Sequence, residues 1–436
     1  MSKRLLRSLL ILSLLAVATG AQQSKDKVVS IGEAADHAVQ QSKLTLPGSA
    51  PFHLIAHITN AGMPQAEYSA NVEEFWISPE KWRRTVRADG FSQTLIANGG
   101  QISEKLEGDY YPFWLHNLVT ALFDPLPMAD QLKAMRGELE IPEDSAKSNS
   151  CLNMQFKVGI APAQNNLTYA FCFGGKGGLL QAAITPGYKA LFGDYEVFKK
   201  KMVARTVKAE FAPDIAFTAK VTELAELNSP DEKLFTIETP TPAAEQMKTS
   251  QVAEDSARLL ALNMPPIVWP AVREGKTEGV MSLYISVDRL GHVREVWPLS
   301  SNNAELNGAV REQVMRWQYK PYTNGGPSQM EAVLTFAFST RIENPIPVLD
   351  DAEARKQARH IVEAVVPAGK ARKGSKFSLR VSVDEAGKIQ GILNLNKVAP
   401  ALYTAGSSAL KHWRFRPYMN KGTPDRFYAD ITFLVR

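Results

Sequence analysis

Apolar and polar residues alternate along much of the first half of the chain, in short runs that end at turn residues. A two-residue period is typical of β-strands with one buried and one solvated face. The runs with this period lie at 52–59, 67–77, 82–87, 91–98, 101–106 and 195–224. Two stretches, 30–46 and 113–123, instead carry apolar residues at helical spacing. The pattern predicts a strand-rich domain over 22–238 with helices inserted.

The chain beyond about residue 262 repeats itself. A shift of 96 residues brings a turn, a helix end and a loop into register: 286–288 with 382–384, Gly291 with Gly387, Trp317 with Trp413, and 321–322 with 417–418. Such a repeat indicates a duplicated supersecondary unit. In each copy the spacing predicts a two-stranded hairpin, a helix and a third strand. We therefore predict an α+β protein with two tandem domains, at 263–343 and 351–436, after a linker at 239–262.

Length and composition narrow the class of protein. The 436 residues exceed what one hydrophobic core organises, and 44% hydrophobic with 22% charged residues is an ordinary globular balance. The formal net charge is +5. Without Lys3, Arg4 and Arg7 it falls to about +2, too little for the electrostatic attraction that nucleic-acid-binding proteins show. No nucleic-acid partner is expected.

Residues 1–21 have the order of a secretory signal peptide. The three cations named above precede an apolar run at 9–18, and small residues follow up to Ala21. The uncharged stretch 9–21 has 13 residues, whereas a membrane-crossing helix needs about 20. A retained anchor is the alternative to cleavage. No later stretch is apolar enough to span a membrane, so we expect a periplasmic or cell-envelope protein without a transmembrane helix in the mature chain.

The two cysteines, Cys151 and Cys172, lie in strand-like runs that a turn at 161–166 could bring opposite each other. In an oxidising compartment such a pair favours a disulfide. Two buried free cysteines are the alternative. A metal site is not expected because no second pair of ligands lies near in the sequence.

No motif indicates catalysis. His53 and His57 are four residues apart but lack the glutamate of a helical zinc-protease motif. The glycine-rich stretch 174–178 joins two strands without a following helix, so it is interpreted as a hairpin turn rather than a phosphate-binding loop. Asp288 and Asp384 match each other at strand ends, where aspartate commonly accepts backbone hydrogen bonds. We expect no catalytic residue, no cofactor and no enzyme, with a hydrolase as the residual alternative.

The two copies carry residues that together resemble the C-terminal domain of the energy transducer TonB. In the first copy these residues are Pro266, Pro270, Ala271, Gly279, Val287, Asp288, Gly291, Ser300, Ser301, Leu306, Trp317, Pro321, Tyr322, Gly326 and Phe336. The second copy looks like a degenerate version, altered at its beginning and after its second strand. The resemblance implies a partner bound as an added strand, either a segment of an outer-membrane transporter or a second copy of the chain. The implied edge residues are Ala332, Leu334, Phe336, Phe338, Tyr428, Asp430 and Thr432.

The first domain is similar to the curved antiparallel half-barrel of periplasmic lipoprotein carriers of the LolA and LolB type. The residues that carry this similarity are 51–52, 76–83, 91–93 and the two cysteines. The similarity implies an apolar concave face that could shelter an acyl chain. A cavity filled by Trp76, Phe91 and Phe113 would argue against such shelter.

These features give two hypotheses for function. The first is a non-enzymatic cell-envelope binding protein of the TonB family that uses its sheet edges. The alternative is a periplasmic lipid or lipoprotein carrier that binds lipid in the half-barrel and uses the repeats as docking modules.

Overall fold

The computed structural model describes residues 31–60, 68–126, 135–140, 150–156, 169–174, 178–185, 187–212 and 215–435. The predicted signal peptide lies outside the described residues. Within them, no helix is long and apolar enough to cross a membrane.

The first part of the chain forms one twelve-stranded antiparallel sheet, as the alternation predicts. Its strands are β1 Phe52–Asn60, β2 Ala70–Ser78, β3 Lys81–Ala88, β4 Phe91–Asn98, β5 Gln101–Glu107, β6 Met135–Glu140, β7 Ser150–Phe156, β8 Tyr169–Gly174, β9 Leu179–Ile184, β10 Lys189–Phe198, β11 Lys201–Ala212 and β12 Ile215–Glu226. Each strand pairs with its neighbours in sequence except β5 and β6, which form the two edges of the sheet, and β1 joins β12 in the middle.

Two helices among the described residues cover the concave face of this sheet. We call the sheet together with these helices the half-barrel. The helices are α1 Ile31–Ser42 and α2 Phe113–Phe123. Side chains from both helices and from strands on both sides of the β1–β12 junction form one core. The stacking of Trp114 on Phe217, with ring centroids 4.6 Å apart, ties α2 to β12. The same helix also contacts the other half of the sheet, since the Arg84 guanidinium of β3 lies 3.9 Å from the centre of the Phe123 ring.

The first repeat follows. Its strands are β13 Lys248–Val252, β14 Ala261–Asn263, β15 Glu278–Val287, β16 Val293–Ser301, β17 Gln318–Tyr319, β18 Tyr322–Thr323 and β19 Pro327–Ser339. Its helices are α3 Glu254–Leu260 and α4 Asn307–Val314. The main sheet has the order β13-β19-β15-β16, with α4 packed against β16.

The second repeat has the same plan. Its strands are β20 Val348–Leu349, β21 Ala358–His360, β22 Lys376–Val383, β23 Ile389–Leu393, β24 Arg414–Phe415, β25 Tyr418–Asn420, β26 Thr423–Asp425 and β27 Phe427–Leu434. Its helices are α5 Asp351–Gln357 and α6 Pro400–Leu410, and its main sheet has the order β20-β27-β22-β23. Each repeat thus contains the predicted hairpin, helix and third strand.

The predicted linker at 239–262 is wrong for most of its length. Residues 248–252 form β13, which pairs in parallel with β19, and α3 and β14 follow at once. The preceding stretch lies along β5, where the Thr241 N–H donates to the Ile102 carbonyl at 2.8 Å. The first repeat therefore begins about 15 residues earlier than the hairpin pattern indicates.

The helix α3 is hydrogen-bonded to β19, the third strand of the first repeat, through two of its side chains. In α3, Glu254 accepts a hydrogen bond from the Thr335 N–H at 3.0 Å, and Arg258 donates to the Thr335 carbonyl at 2.9 Å. Arg258 also donates to Glu254 at 2.7 Å, so the two side chains hold each other in place.

The second repeat has the equivalent hydrogen bonds 97 residues later. Asp351 accepts from the Thr432 N–H at 2.8 Å, and Arg355 donates to the Thr432 carbonyl at 2.9 Å. The duplicated unit therefore includes the strand and helix in front of the hairpin, which the 96-residue shift did not reveal.

Gly291, which the repeat aligns with Gly387, makes a close backbone approach. Its φ is +92°, and a Cβ on it would lie 2.0 Å from the Tyr319 carbonyl oxygen. Its own carbonyl accepts the Tyr319 N–H at 2.8 Å, which fixes the hairpin turn against β17. Only glycine fits this position without strain.

We expect Gly291→Ala to destabilise the protein by about 2 kcal/mol or more, because the substitution combines a left-handed backbone with a steric clash. Urea unfolding followed by circular dichroism measures the change. Gly308→Ala is the matched control, since Gly308 lies in α4 and a Cβ added there would meet no atom within 4 Å. It should be neutral or stabilising, and equal loss in both variants would contradict this account.

Candidate functional site

The middle of the half-barrel is filled with side chains. Trp76, Phe91 and Phe113 are all buried, with relative exposures of 1%, 3% and 0%. Phe113 begins α2 and packs edge-on against Phe211 at 5.0 Å between ring centroids. No acyl chain fits through this region in the conformation described. Any binding space in the half-barrel has to lie toward the other end of α2.

A pocket does lie at that end, between α1 and the sheet. Its volume is about 50 Å³. The lining is largely apolar and combines α1 and the residues after it, the end of α2, and strands β1 and β9–β12. Its members include Val39, Leu44, Leu54, Ala121, Leu122, Leu126, Leu180, Phe192, Val203, Ala204, Val207 and Val221. Because the pocket's wall comes from sequence-distant elements, it exists only in the folded domain.

Polar contacts rim the pocket. The Lys43 ammonium lies 2.7 Å from an Asp124 carboxylate oxygen, and the Lys43 side chain is mostly buried. Lys201 donates to the Gln40 carbonyl near the end of α1, and burial lowers the pKa of this lysine. The Tyr195 hydroxyl donates to the Leu180 carbonyl, and burial raises its pKa. The rim of this largely apolar space thus combines the Lys43–Asp124 ion pair with the Tyr195 hydroxyl, and Lys201 is not among the residues that line it.

The predicted edge of the first repeat is not free at its start. Ala332 pairs with Ile285 of β15 on one side and with Val252 of β13 on the other. Further along, the backbone of Thr335 is held by α3 as described above. The predicted edge side chains face inward: Leu334 and Phe338 are in the core, and Phe336 packs on Trp317 at 5.7 Å.

The predicted edge of the second repeat is covered in the same way. Tyr428 pairs with Ser382 of β22 and with Val348 of β20. Asp430 accepts two hydrogen bonds from Arg380, both at 2.7 Å. The backbone of Thr432 is held by α5. Both predicted edges are therefore wrong at Ala332 and Tyr428, because the short parallel strands β13 and β20 were not foreseen.

The sheet face of the first repeat packs on the beginning of α2, which the sequence did not reveal. The Tyr284 ring stacks on Phe113 with centroids 4.1 Å apart. A carboxylate oxygen of Glu295 accepts from the Phe113 N–H at 2.9 Å and from the Tyr110 hydroxyl at 3.0 Å. The Gln329 side chain and the Tyr111 backbone exchange hydrogen bonds at 2.6 and 3.1 Å. This interface joins the half-barrel to the first repeat.

The interface buries ionisable groups without a strong counter-charge. Burial raises the pKa of Glu295, although its hydrogen bonds act in the opposite sense. Burial also raises the pKa of Glu331 to about 8 and lowers the pKa of His116 to about 4. Glu331 accepts from the Tyr284 hydroxyl at 2.5 Å, but His116 Nδ1 lies 3.9 Å away, too far for a hydrogen bond. Burial therefore favours the uncharged form of both Glu331 and His116.

Comparisons with known proteins give structural neighbours only. No protein-family model matches the chain, and no curated protein matches it in sequence. A LolA superfamily protein from Nitrosomonas europaea matches with a TM-score of 0.28 and 10% identity, over 47% of this chain and 96% of that one. A DUF1329 family protein from Desulfovibrio piger matches with a TM-score of 0.30 and 10% identity, over 49% of this chain and 98% of that one. At these scores neither likeness assigns a family or a ligand to this chain. Neither neighbour is described as a TonB protein.

Other residues singled out by the sequence have structural roles. Cys151 and Cys172 lie directly opposite each other on β7 and β8 and form a disulfide, as predicted. Asp288 accepts from the backbone N–H of Leu290 and of His292, both at 2.9 Å, so it forms the turn. Asp384 does the same in the second repeat.

The two histidines of the first strand lie on the sheet surface. His53 contacts Glu73 and Glu223 at 3.0 and 3.1 Å, and His57 contacts Asn71. Among the described residues, no group of three or more His, Cys, Asp or Glu side chains is placed to hold a metal ion. Most of the glycine-rich stretch 174–178 lies outside the described residues.

Glu331 should make stability depend on pH. A carboxyl group whose pKa is higher in the folded state than in the unfolded chain stabilises fully below the unfolded value. That contribution is lost as pH rises through about 8. We expect Glu331→Gln to leave stability at about pH 5 nearly unchanged and to raise it by about 1 kcal/mol or more at about pH 9.

Urea unfolding midpoints at both pH values measure the effect. The control is Glu312→Gln, since Glu312 is exposed on α4. An advantage of Glu331→Gln that does not grow with pH would show that this carboxyl group does not titrate in the interface.

Proposed function

We propose that the half-barrel binds the hydrocarbon chain of a lipid or of a lipid-modified protein beneath α1. We further propose that the protein has no catalytic role. The observation that supports this proposal is the apolar pocket between α1, the end of α2 and strands β1 and β9–β12. Apolar walls with a few polar groups at the rim are typical of sites for small apolar ligands.

The pocket has to open for such a ligand. A volume of about 50 Å³ is far below the roughly 300–1,000 Å³ of common ligand pockets. Displacing α1 would enlarge it. Because α1 makes no strand pairing, it can move without breaking the hydrogen bonds of the sheet.

Among the described side chains, two polar contacts join the end of α1 to the rest of the half-barrel. The Lys43–Asp124 pair involves an Asp124 side chain that is 43% exposed, and such pairs contribute little to stability. The other contact is between Lys201 and the Gln40 carbonyl. Once α1 moves, Lys43 and Lys201 would be available to a carboxylate or phosphate at the end of the acyl chain.

A periplasmic location and a protein partner stay predictions. Binding of a transporter segment at the third strand of either repeat has less support, because β13, β20 and the side chains of α3 and α5 occupy those edges. The repeats are better understood as docking modules attached to the half-barrel.

Filling the pocket should abolish binding of an acyl probe. Ala204 lines the pocket on β11, and Ala204→Trp places a large ring there. We expect the full-length protein to bind 11-(dansylamino)undecanoic acid with an increase in fluorescence, and Ala204→Trp to weaken that binding by about tenfold or more, which is about 1.4 kcal/mol.

Ala225→Trp is the matched control, because Ala225 is exposed on the neighbouring strand β12. It should bind the probe as the unmodified protein does. Circular dichroism and thermal unfolding establish that both variants fold. A folded Ala204→Trp variant with unchanged affinity would refute the proposed site.

A further inference from the structure

The excess of positive over negative residues in the chain is concentrated in the second repeat. Residues 351–436 contain sixteen Lys and Arg and seven Asp and Glu, whereas 263–343 contain eight of each. The two repeats share one fold, so the fold itself does not require the excess. A local excess of this size points to an anionic partner.

We propose that the second repeat binds the surface of a membrane that contains anionic phospholipids. The surface that would make the contact, here the basic surface, consists of Lys356, Arg359, Lys388, Lys411, Arg414 and Arg416. All six side chains are exposed. The proposal rests on this surface and not on acyl-chain binding in the half-barrel.

Backbone hydrogen bonds bring these residues together from four segments. His360 of β21 pairs with Arg414 of β24, and the Arg416 N–H donates to the Gln357 carbonyl at the end of α5 at 2.9 Å. On the other side, the Phe415 N–H donates to the Gly387 carbonyl at 3.0 Å, which places Lys388 beside β24. The same strand thus contacts β21 on one side and the β22–β23 turn on the other.

The direction of the side chains follows from strand geometry. Phe415 is buried, with 2% exposure, so its neighbours Arg414 and Arg416 both project to the opposite, solvated side. Lys411 lies just before this strand, where the Arg414 guanidinium donates to its carbonyl at 3.0 Å.

The six cations are not neutralised by neighbouring carboxylates. Among the described residues, none of them has a carboxylate oxygen within 4.0 Å, whereas Arg355, Arg380 and Arg426 of the same repeat all form ion pairs. The nearby Asp384 already accepts two backbone N–H groups and the Gln390 amide. Exposed cations without an ion-pair partner are available to an external anion, and only Lys388 is partly offset, by the nearby Asp384 carboxyl group whose pKa it helps to lower.

The equivalent end of the first repeat is not basic. The positions that correspond to the six cations hold Leu259, Leu262, His292, Met315, Gln318 and Lys320. The backbone contact is the same in the two repeats. The Lys320 N–H donates to the Leu260 carbonyl in the first, and the Arg416 N–H donates to the Gln357 carbonyl in the second. The cations are therefore dispensable for folding and available for binding.

Aliphatic side chains beside the basic surface favour a membrane over a nucleic acid. Ile361 directly follows β21 and Val365 lies four residues further on; they are 39% and 84% exposed. Cations next to exposed aliphatic groups suit the interface of a bilayer, where the charges meet phosphates and the aliphatic groups reach the acyl region. The aromatic rings of this region, Trp413 and Phe415, are buried and cannot stack on bases.

The test is co-sedimentation of the full-length protein with vesicles. We expect binding to vesicles of phosphatidylglycerol and phosphatidylcholine in equal parts, little binding to phosphatidylcholine alone, and release as salt is raised. Equal binding to both vesicles, or binding that resists salt, would overturn the proposal. These measurements on the unmodified protein do not depend on any variant folding.

Variants locate the surface. The triple variant Lys388→Gln, Lys411→Gln, Arg414→Gln should reduce partitioning to the anionic vesicles by about tenfold or more. The triple control Lys276→Gln, Arg316→Gln, Lys320→Gln removes the same charge from exposed positions of the first repeat and should change it by less than about twofold. Equal losses in both variants would show attraction by net charge alone and refute the basic surface.

Two further outcomes separate this proposal from others. Ala204→Trp should bind the anionic vesicles as the unmodified protein does, because the acyl pocket is not involved. If the basic surface bound a DNA duplex more tightly than the anionic vesicles at the same salt, the membrane would be the wrong partner.

Discussion

The apolar concave face of the twelve-stranded sheet has to be kept out of water, and the rest of the structure follows from how this is achieved. Burial of such a face is the dominant stabilising term in a sheet domain. The helix α2 fills the middle, the first repeat covers the beginning of α2 with Tyr284, and α1 covers its end. The covers at the two ends of α2 differ in kind. The first repeat accepts hydrogen bonds from Phe113, at the start of α2, on Glu295 and from Tyr111, just before α2, on Gln329, whereas the described side chains of α1 include Ala38 and Val39 in the apolar core. We propose that the α1 end, where the pocket lies, is the end that opens.

Much of the fold could be predicted because the relevant signals are local. The two-residue alternation placed β1, β3, β4 and β5 to within one residue and β2 to within three, and the helical spacing at 113–123 matches the bounds of α2. The disulfide was predictable since Cys151 and Cys172 lie on adjacent strands. The strand β13 was missed because Lys248–Val252 is short and polar, so it shows no alternation. It forms through parallel pairing with a strand about 80 residues away, and no local pattern reports such a pairing.

The candidate sites were less predictable than the fold. The position of β19 at the end of a repeat predicts an edge strand. In the structure, residues 328–334 of this strand are buried on both faces. One face forms the core of the repeat, and the other, with Glu331 and Val333, meets the half-barrel. The pocket was not predictable because its lining combines α1, α2 and five strands. The excess of cations in the second repeat is visible in the sequence, but its gathering around β24 depends on the pairing of β21 with β24.

A single chain thus combines a half-barrel with an apolar pocket at one end of α2, a docked neutral repeat at the other end, and a basic repeat beyond it. The central claim is that the pocket beneath α1 takes a hydrocarbon chain. Native mass spectrometry of the protein, purified without detergent after exposure to bacterial lipids, tests this claim most directly. The account predicts a species heavier by the mass of one acyl-bearing lipid and lost on organic extraction. A spectrum with only the unliganded protein, under conditions that preserve its fold, would contradict it.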